Sequence, residues 1–262
     1  MPGSGSEVQN DWNPQRYARF SDLRLRPALD LLAQVPQLPE GVVIDLGCGT
    51  GVVGPALSRH CGRALIGVDS SPAMLEDARN TGVYARLVDA DVQQWQPPTP
   101  PALIFSNAAL QWVPDHQVLL RRLAGMLTKG GILAVQMPRQ GGAPSHRFLR
   151  DIAASLFGNR FADLPESPVQ MAVKYWQMLA PLGEVTAWET EYVQRLEAQA
   201  DGHPVRAFTQ STTMRPYLAG LDAGETAKFF AAYDTALTSA YPVMADGSAL
   251  LPFVRVFFTL KV

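Results

Sequence analysis

Two hydrophobic periods alternate along the middle of this chain. Short continuous apolar runs at 42–46, 64–69, 84–88, 102–106 and 132–137 predict buried strands. Between them, apolar positions recur every three or four residues. These segments predict helices at 52–60, from Ser71-Pro72 to a stop at Gly82, and at 115–127 with Leu119, Leu123, Met126 and Leu127 on one face. Strands alternating with helices at this spacing imply an α/β fold, a doubly wound, mostly parallel sheet. After Pro138 the pattern loosens into helices at 146–157, 170–180 and 222–240 and strands at 184–192 and 253–262, which bring the sheet to seven strands. The helices between Arg195 and Tyr241 are too many for a simple crossover and read as a small helical cap inserted before the last strand. Upstream, Asn13-Pro14 opens a helix, and Pro27 should kink it or start a second one at 26–35 with Leu29, Leu32 and Ala33 as its face. The expected organisation is a flexible lead at 1–12, lid helices at 13–40, a cofactor-binding core at 41–138, cap and late strands at 139–250 and a terminal strand at 251–262.

The first strand dissolves into Asp45-Leu46-Gly47-Cys48-Gly49-Thr50-Gly51. Glycines allow a sharp turn and a close approach of ligand to main chain. The following helix offers free N–H groups and positive dipole to an anion, while Asp45 attracts a cation. A ligand with both a carboxylate and an ammonium suits this turn, and the amino-acid end of S-adenosylmethionine is one. The run Gly49-x-Gly51-x-x-Gly54 also fits the dinucleotide pattern, with Asp69 at the right distance. Against that reading, Leu46-Gly47-Cys48 intervene before its first glycine, and Asp45 would face a pyrophosphate. Ligands of such sheets lie beyond the carboxyl ends of the strands. Asp45, Asp69 and Asp91 fall at three successive strand ends and so on one rim. Asp69, with Ser70 beside it, can accept a ribose diol. Asp91 and the Val92 backbone can pair with an adenine edge, flanked by Met74 and Trp95. Asn107 can accept from an ammonium, and Gln111 and Trp112 can wall the reacting methyl.

Composition narrows the classes. Hydrophobic residues make up 47% of 262, enough for a sizeable core, and the net charge is -2. That balance argues against nucleic-acid or anionic-membrane partners, and no stretch resembles a signal peptide or spanning helix. Cys48 and Cys61 are the only cysteines, which points to no disulfide framework and to the cytoplasm. No metal spacing appears among the scattered histidines. No obligate protein partner is evident; the expected partner is a small-molecule carboxylate.

Several blocks carry a resemblance. Asp11-Trp12-Asn13-Pro14-x-x-Tyr17-x-x-Phe20, Arg24-x-Arg26-Pro27-Ala28, Asp45-Leu-Gly47-Cys-Gly49, Asp69-Ser70-Ser-Pro-Ala-Met74-Leu, Asn107-Ala-Ala-Leu-Gln111-Trp112-Val-Pro-Asp115-His116, Ala134-Val-Gln-Met-Pro138 and Met214-Arg215-Pro216-Tyr217-Leu218 resemble the trans-aconitate 2-methyltransferases. Leu250 to Phe258, including Arg255, is similar to that family's last strand. The resemblance spans Asp11 to Val262. It departs at Tyr217, where the family has tryptophan, and at 139–143 and 197–205. It implies a Rossmann-like class I methyltransferase fold, S-adenosyl-L-methionine as cofactor with S-adenosyl-L-homocysteine as product, and O-methylation of one carboxylate of a small polycarboxylic acid, trans-aconitate, to its monomethyl ester. The residues expected to hold the donor are Asp45, Gly47, Gly49, Gly51, Asp69, Ser70, Met74, Asp91, Val92 and Asn107. A polyanionic acceptor needs arginine forks, for which Arg215, Arg255 and Arg26 are candidates, with Tyr17, Tyr217 and Trp112 beside them. Trp12 and Tyr17 can form a lid.

A carboxylate is already ionised near pH 7 and needs no general base, so catalysis is expected to be positioning and desolvation, with only Trp112 and His116 as possible contributors. Alternatives are the same chemistry on a carrier-bound malonyl group, methylation of another carbon, nitrogen or oxygen acceptor, a nicotinamide-dependent oxidoreductase, and a binding module that has lost its acceptor site.

Overall fold

The computed structural model describes residues 21–262. The lead at 1–12, the helix from Pro14, and Trp12 and Tyr17 lie outside the described residues. The described elements are α1 (Ser21–Leu32), β1 (Val43–Leu46), α2 (Gly54–Cys61), β2 (Leu65–Asp69), α3 (Pro72–Asn80), β3 (Arg86–Asp89), β4 (Leu103–Asn107), α4 (His116–Ala124), β5 (Ile132–Pro138), α5 (Pro144–Phe157), α6 (Ala172–Leu179), β6 (Glu184–Leu196), α7 (Pro204–Gln210), α8 (Arg215–Leu218), α9 (Ala223–Ala240) and β7 (Ala249–Lys261).

These strands form one seven-stranded sheet in the order β3-β2-β1-β4-β5-β7-β6. The first five run parallel, and β7 is antiparallel to both β5 and β6. β1, β4 and β5 are the most completely buried strands, as expected of strands covered on both faces. One face packs Leu46, Ile104, Leu133, Val135 and Phe258 against α4 and α6. The other packs Val43, Leu103, Phe105, Ala134 and Phe257 against α1 and α2.

Two helix expectations change. α1 runs through Pro27 instead of breaking there. Its buried face is Ala28, Leu31 and Leu32, with Leu29 left 42% exposed, so the apolar stripe is shifted by one position from the predicted one. Burial of that stripe on the sheet offsets the hydrogen bond that proline gives up.

The last two strands are longer than their patterns suggested. β5 pairs with β7 only from Ile132↔Lys261 to Pro138↔Arg255, whereas β6 stays paired with β7 as far as Leu196↔Ala249. The ribbon therefore runs on past the end of β5. Its far end, through Leu196, Leu251 and Phe253, shares a separate apolar cluster with α5, α7, α8 and α9. In that cluster Tyr217 lies 5.3 Å from Phe161 and 5.8 Å from Phe229, ring centre to ring centre. α9 is started by a reciprocal cap, Asp222 accepting from the Glu225 N–H and Glu225 from the Asp222 N–H.

Candidate active site

The site is built where β1, β2 and β4 end. Gly47 and Cys48 donate their N–H groups to the Val68 carbonyl, at 2.7 and 3.0 Å, which ties the glycine turn to β2. The Asp69 carboxylate joins the two turns: one oxygen accepts from the Gly49 N–H at 2.8 Å and the other from the Ser71 N–H at 3.0 Å. Carboxylate oxygens have further lone pairs, so Asp69 can still accept from a ligand diol. Ser70 beside it is exposed.

The glycines of the turn have different roles. A Cβ on Gly47 would lie 2.2 Å from the Ala109 Cβ, so the loop after β4 rests directly on this residue. Gly51 and Gly54 face Tyr84, whose ring atoms would lie 2.9 and 2.7 Å from an added Cβ. Gly49, at φ +53°, faces open space. Of these four glycines Gly49 alone has open space on its Cβ side. Gly51 serves to admit the tyrosine ring on its Cβ side.

The sequence pattern starts the third strand at Tyr84. That strand begins at Arg86, and the Tyr84 hydroxyl donates to Asp45 at 2.6 Å. Asp45 is one residue short of the strand end and 2% exposed. Burial pushes its carboxyl up to about 7, the Tyr84 hydrogen bond holds it down, and the nearby Asp69 charge adds to the rise. Burial and the Asp45 neighbour push the Tyr84 phenol up in turn.

Asp91 does not end its strand either. It lies two residues beyond Asp89, is exposed, and accepts from the Gln93 N–H at 2.8 Å as a turn cap. Val92 packs against the sheet core and its carbonyl accepts from Arg122, whose other arm donates to the Trp95 carbonyl at 2.8 Å. Trp95 itself is 7% exposed inside that core, so it is a packing residue. Met74 is buried in the first turn of α3, where Ser71 caps its N–H.

The loop after β4 carries backbone strain. Ala108 has φ +54°, held because its N–H donates to the Gln136 carbonyl and its carbonyl accepts from Gln111 Nε2 at 2.7 Å. Such strain in a non-glycine residue persists only where its surroundings impose it. Among the described residues, Asn107 Oδ1 and Gln111 Oε1 are buried acceptors without partners. Two unmet acceptors with a buried carboxylate nearby in the sheet suit a cationic, hydrogen-donating ligand group. Trp112 in this loop is 57% exposed.

His116 is not at the surface. It is 4% exposed, its Nε2 donates to the Leu110 carbonyl at 3.0 Å, and its Nδ1 accepts from the Tyr175 hydroxyl at 2.5 Å. A carbonyl only accepts, which assigns the tautomer. Tyr175 in turn accepts from the Gln170 N–H. Burial lowers the His116 pKa and keeps the ring neutral. With both nitrogens committed, His116 is a tie between the β4 loop and α6, which corrects its expected place near the reacting group. His116→Ala should cost about 2–4 kcal/mol in denaturant unfolding, because a buried hydroxyl and carbonyl lose their partners. Methyl-donor affinity of the folded variant should be unchanged; a donor-binding defect in a fully folded variant would return the ring to the site.

The acceptor-side candidates fall in two groups, Arg255 and Arg26 both beside Tyr192, and Arg215 and Tyr217 on α8. Arg255 is 4% exposed at the last rung shared by β5 and β7, with Nη1 donating to Gln136 Oε1 at 3.2 Å and its guanidinium over the Phe253 ring. Arg26 is 77% exposed, 3.9 Å from Asp30 and over the Tyr192 ring, whose hydroxyl donates to Asp30 at 2.6 Å. Arg215 is exposed on α8. Tyr217 is buried in the α8–α9 cluster. Tyr84 had no motif to announce it, and the block Ala134 to Pro138 that contains Gln136 gave that residue no role. Only their placement across strands shows their use.

Residues 43–131 match a family model described as a methyltransferase domain. The chain is 43% identical over 260 residues to the trans-aconitate 2-methyltransferase of Methylobacterium radiotolerans, covering 96% of this chain and 98% of that protein. It is 42% identical over 256 residues to the enzyme of the same name from Methylobacterium nodulans, again covering 96% and 98%. Among solved structures, Haemonchus contortus phosphoethanolamine N-methyltransferase 2, in complex with phosphomonomethylethanolamine and S-adenosylhomocysteine, superposes with a TM-score of 0.53 at 17% identity. That match covers 90% of this chain and 52% of the other, and it shows a shared Rossmann-like methyltransferase fold. With this identity over almost its whole length, the chain belongs to the trans-aconitate 2-methyltransferase family.

Proposed function

We propose that this protein binds S-adenosyl-L-methionine at the β1–β2–β4 rim and methylates one carboxylate of trans-aconitate, giving its monomethyl ester. The observation that carries the donor assignment is the set of unmet acceptors, Asn107 Oδ1 and Gln111 Oε1, on the loop that rests on Gly47. The ligand's ammonium would meet Asn107 and Asp45. Its carboxylate would approach the bare Gly49 turn, and its ribose diol Asp69. Ser70, Met74, Asp91 and Val92 would line its adenosine end. When bound, the donor supplies an electrophilic methyl group on sulfonium.

The chain's own residues have a limited task. An acceptor carboxylate is ionised near pH 7 and needs no proton removed. Trp112 would shield the reacting centre from water. Arg255 at the base of the ribbon would bind and orient the polyanion, with Arg26 on α1 and the exposed Arg215 on α8 as a cap. A nitrogen acceptor would need a base to take up its proton. Among the described residues, His116 is committed to Leu110 and Tyr175 and is closed to that role.

The test is transfer of labelled methyl from S-adenosyl-L-methionine to a panel of di- and tricarboxylic acids. Base-labile label on trans-aconitate supports the reading. Donor binding without label on any free acid overturns the acceptor half and leaves carrier-bound acids as the next substrates to try.

A further inference from the structure

A buried polar pair on β5 and β7 points to a further part of the site. Gln136 is fully buried, one residue pair across from Asn107 in the β4–β5 ladder, so both side chains leave the same face of the sheet at the rim. Its Oε1 accepts from Arg255 Nη1. Guanidinium nitrogens only donate, so this contact dictates which way the amide lies. Nε2 is then a buried donor, and it has no partner among the described residues. An amide donor left unmet in the interior is costly and rare. Its polarity is also opposite to that of its neighbour: Asn107 offers an unmet acceptor, and Gln136 an unmet donor reinforced by an adjacent cation.

We infer that Gln136, oriented by Arg255, receives a non-reacting carboxylate of the acceptor and is a specificity-determining residue for polycarboxylic acids. Strand spacing supports the division of labour. Adjacent strands lie about 4.8 Å apart. Asn107 on β4 is one spacing from Gln136 and two from the strand that carries Arg255. The reacting oxygen must be near the donor on the β1–β4 side. A second carboxylate of a six-carbon triacid can then fall between Gln136 and Arg255, and a monocarboxylic acid has no group to place there. Gln136 Nε2 supplies the donor, and the guanidinium beside it the positive charge, for one carboxylate. This inference rests on the methyl-transfer reading above.

The experiment uses the full chain and two substitutions. Gln136→Met keeps the side-chain length and removes the donor. Gln136→Glu keeps an acceptor for Arg255 but turns a negative charge toward the substrate. With trans-aconitate, KM should rise about tenfold or more in Gln136→Met and further in Gln136→Glu, with kcat within about threefold. Affinity for S-adenosyl-L-methionine by calorimetry should match wild type, which also reports that each variant is folded. Turnover of a monocarboxylic acid of similar length should be unaffected. A wild-type KM for trans-aconitate in both folded variants overturns the inference and leaves the proposed function standing. A wild-type protein that labels no carboxylic acid overturns both.

Discussion

Asp45→Asn should lower methyl-donor affinity about 10- to 100-fold and abolish the coupling of donor binding to pH. The carboxyl is buried, and in the ligand-free protein its pKa stands at about 7 against an ordinary 3.8. An acid whose folded value is raised favours folding fully below about pH 4, and that contribution is lost as pH climbs through about 7. The rise corresponds to about 4 kcal/mol between those limits. The ligand-free protein should therefore lose stability across that window, and Asp45→Asn should flatten this part of the profile. A cationic ligand prefers the ionised carboxylate, so donor affinity should increase with pH up to about 7 and then level off. Binding at pH 6.5 should release a proton. Calorimetry in two buffers of different ionisation enthalpy measures that proton directly. The lost charge-assisted contact is worth about 1.5–3 kcal/mol, the source of the expected drop in affinity. Equal proton release by wild type and Asp45→Asn would show that the titrating group lies elsewhere, and equal affinity would remove Asp45 from the ammonium site.

Gly47→Ala should be among the most damaging methyl additions in the glycine turn, and Gly49→Ala among the mildest for folding. Both residues have left-handed φ, +75° and +53°, which costs an alanine about 1–2 kcal/mol. Gly47 adds the contact 2.2 Å from the Ala109 Cβ, and relieving it must move the strained loop after β4. Overpacking of this kind adds about 1–3 kcal/mol. The combined loss of about 3–5 kcal/mol should lower the melting temperature by roughly 10 °C. Gly49→Ala meets nothing within 4 Å, so its stability cost should stay near the backbone term alone. The added methyl nevertheless occupies the one open approach to the turn, and donor affinity should fall about tenfold. Paired thermal melts and donor titrations separate the two effects. If both variants melt alike, the Ala109 contact does not control the turn. If Gly49→Ala binds the donor normally, the open side of the turn is not where the ligand lies.

By itself the sequence determined the five parallel strands, the intervening helices and the position of the glycine turn. Each of these is written in local terms: apolar runs for strands covered on both faces, a 3.6-residue period for helices, glycine where φ must be positive. It also placed Asp45, Asp69 and Asn107 at one rim, because the carboxyl ends of parallel strands must gather there. Tertiary structure decided what no local pattern encodes. Tyr84 looks like a strand residue until its ring is seen filling the space over Gly51 and Gly54 and its hydroxyl on Asp45. His116 looks like an exposed helix start until Leu110 and Tyr175 claim both its nitrogens. Arg255 and Gln136 are far apart in the chain, and meet only because β7 inserts antiparallel beside β5. A side chain's role at such positions depends on which distant donor or acceptor shares its low-dielectric surroundings, and strand order, not sequence spacing, sets that.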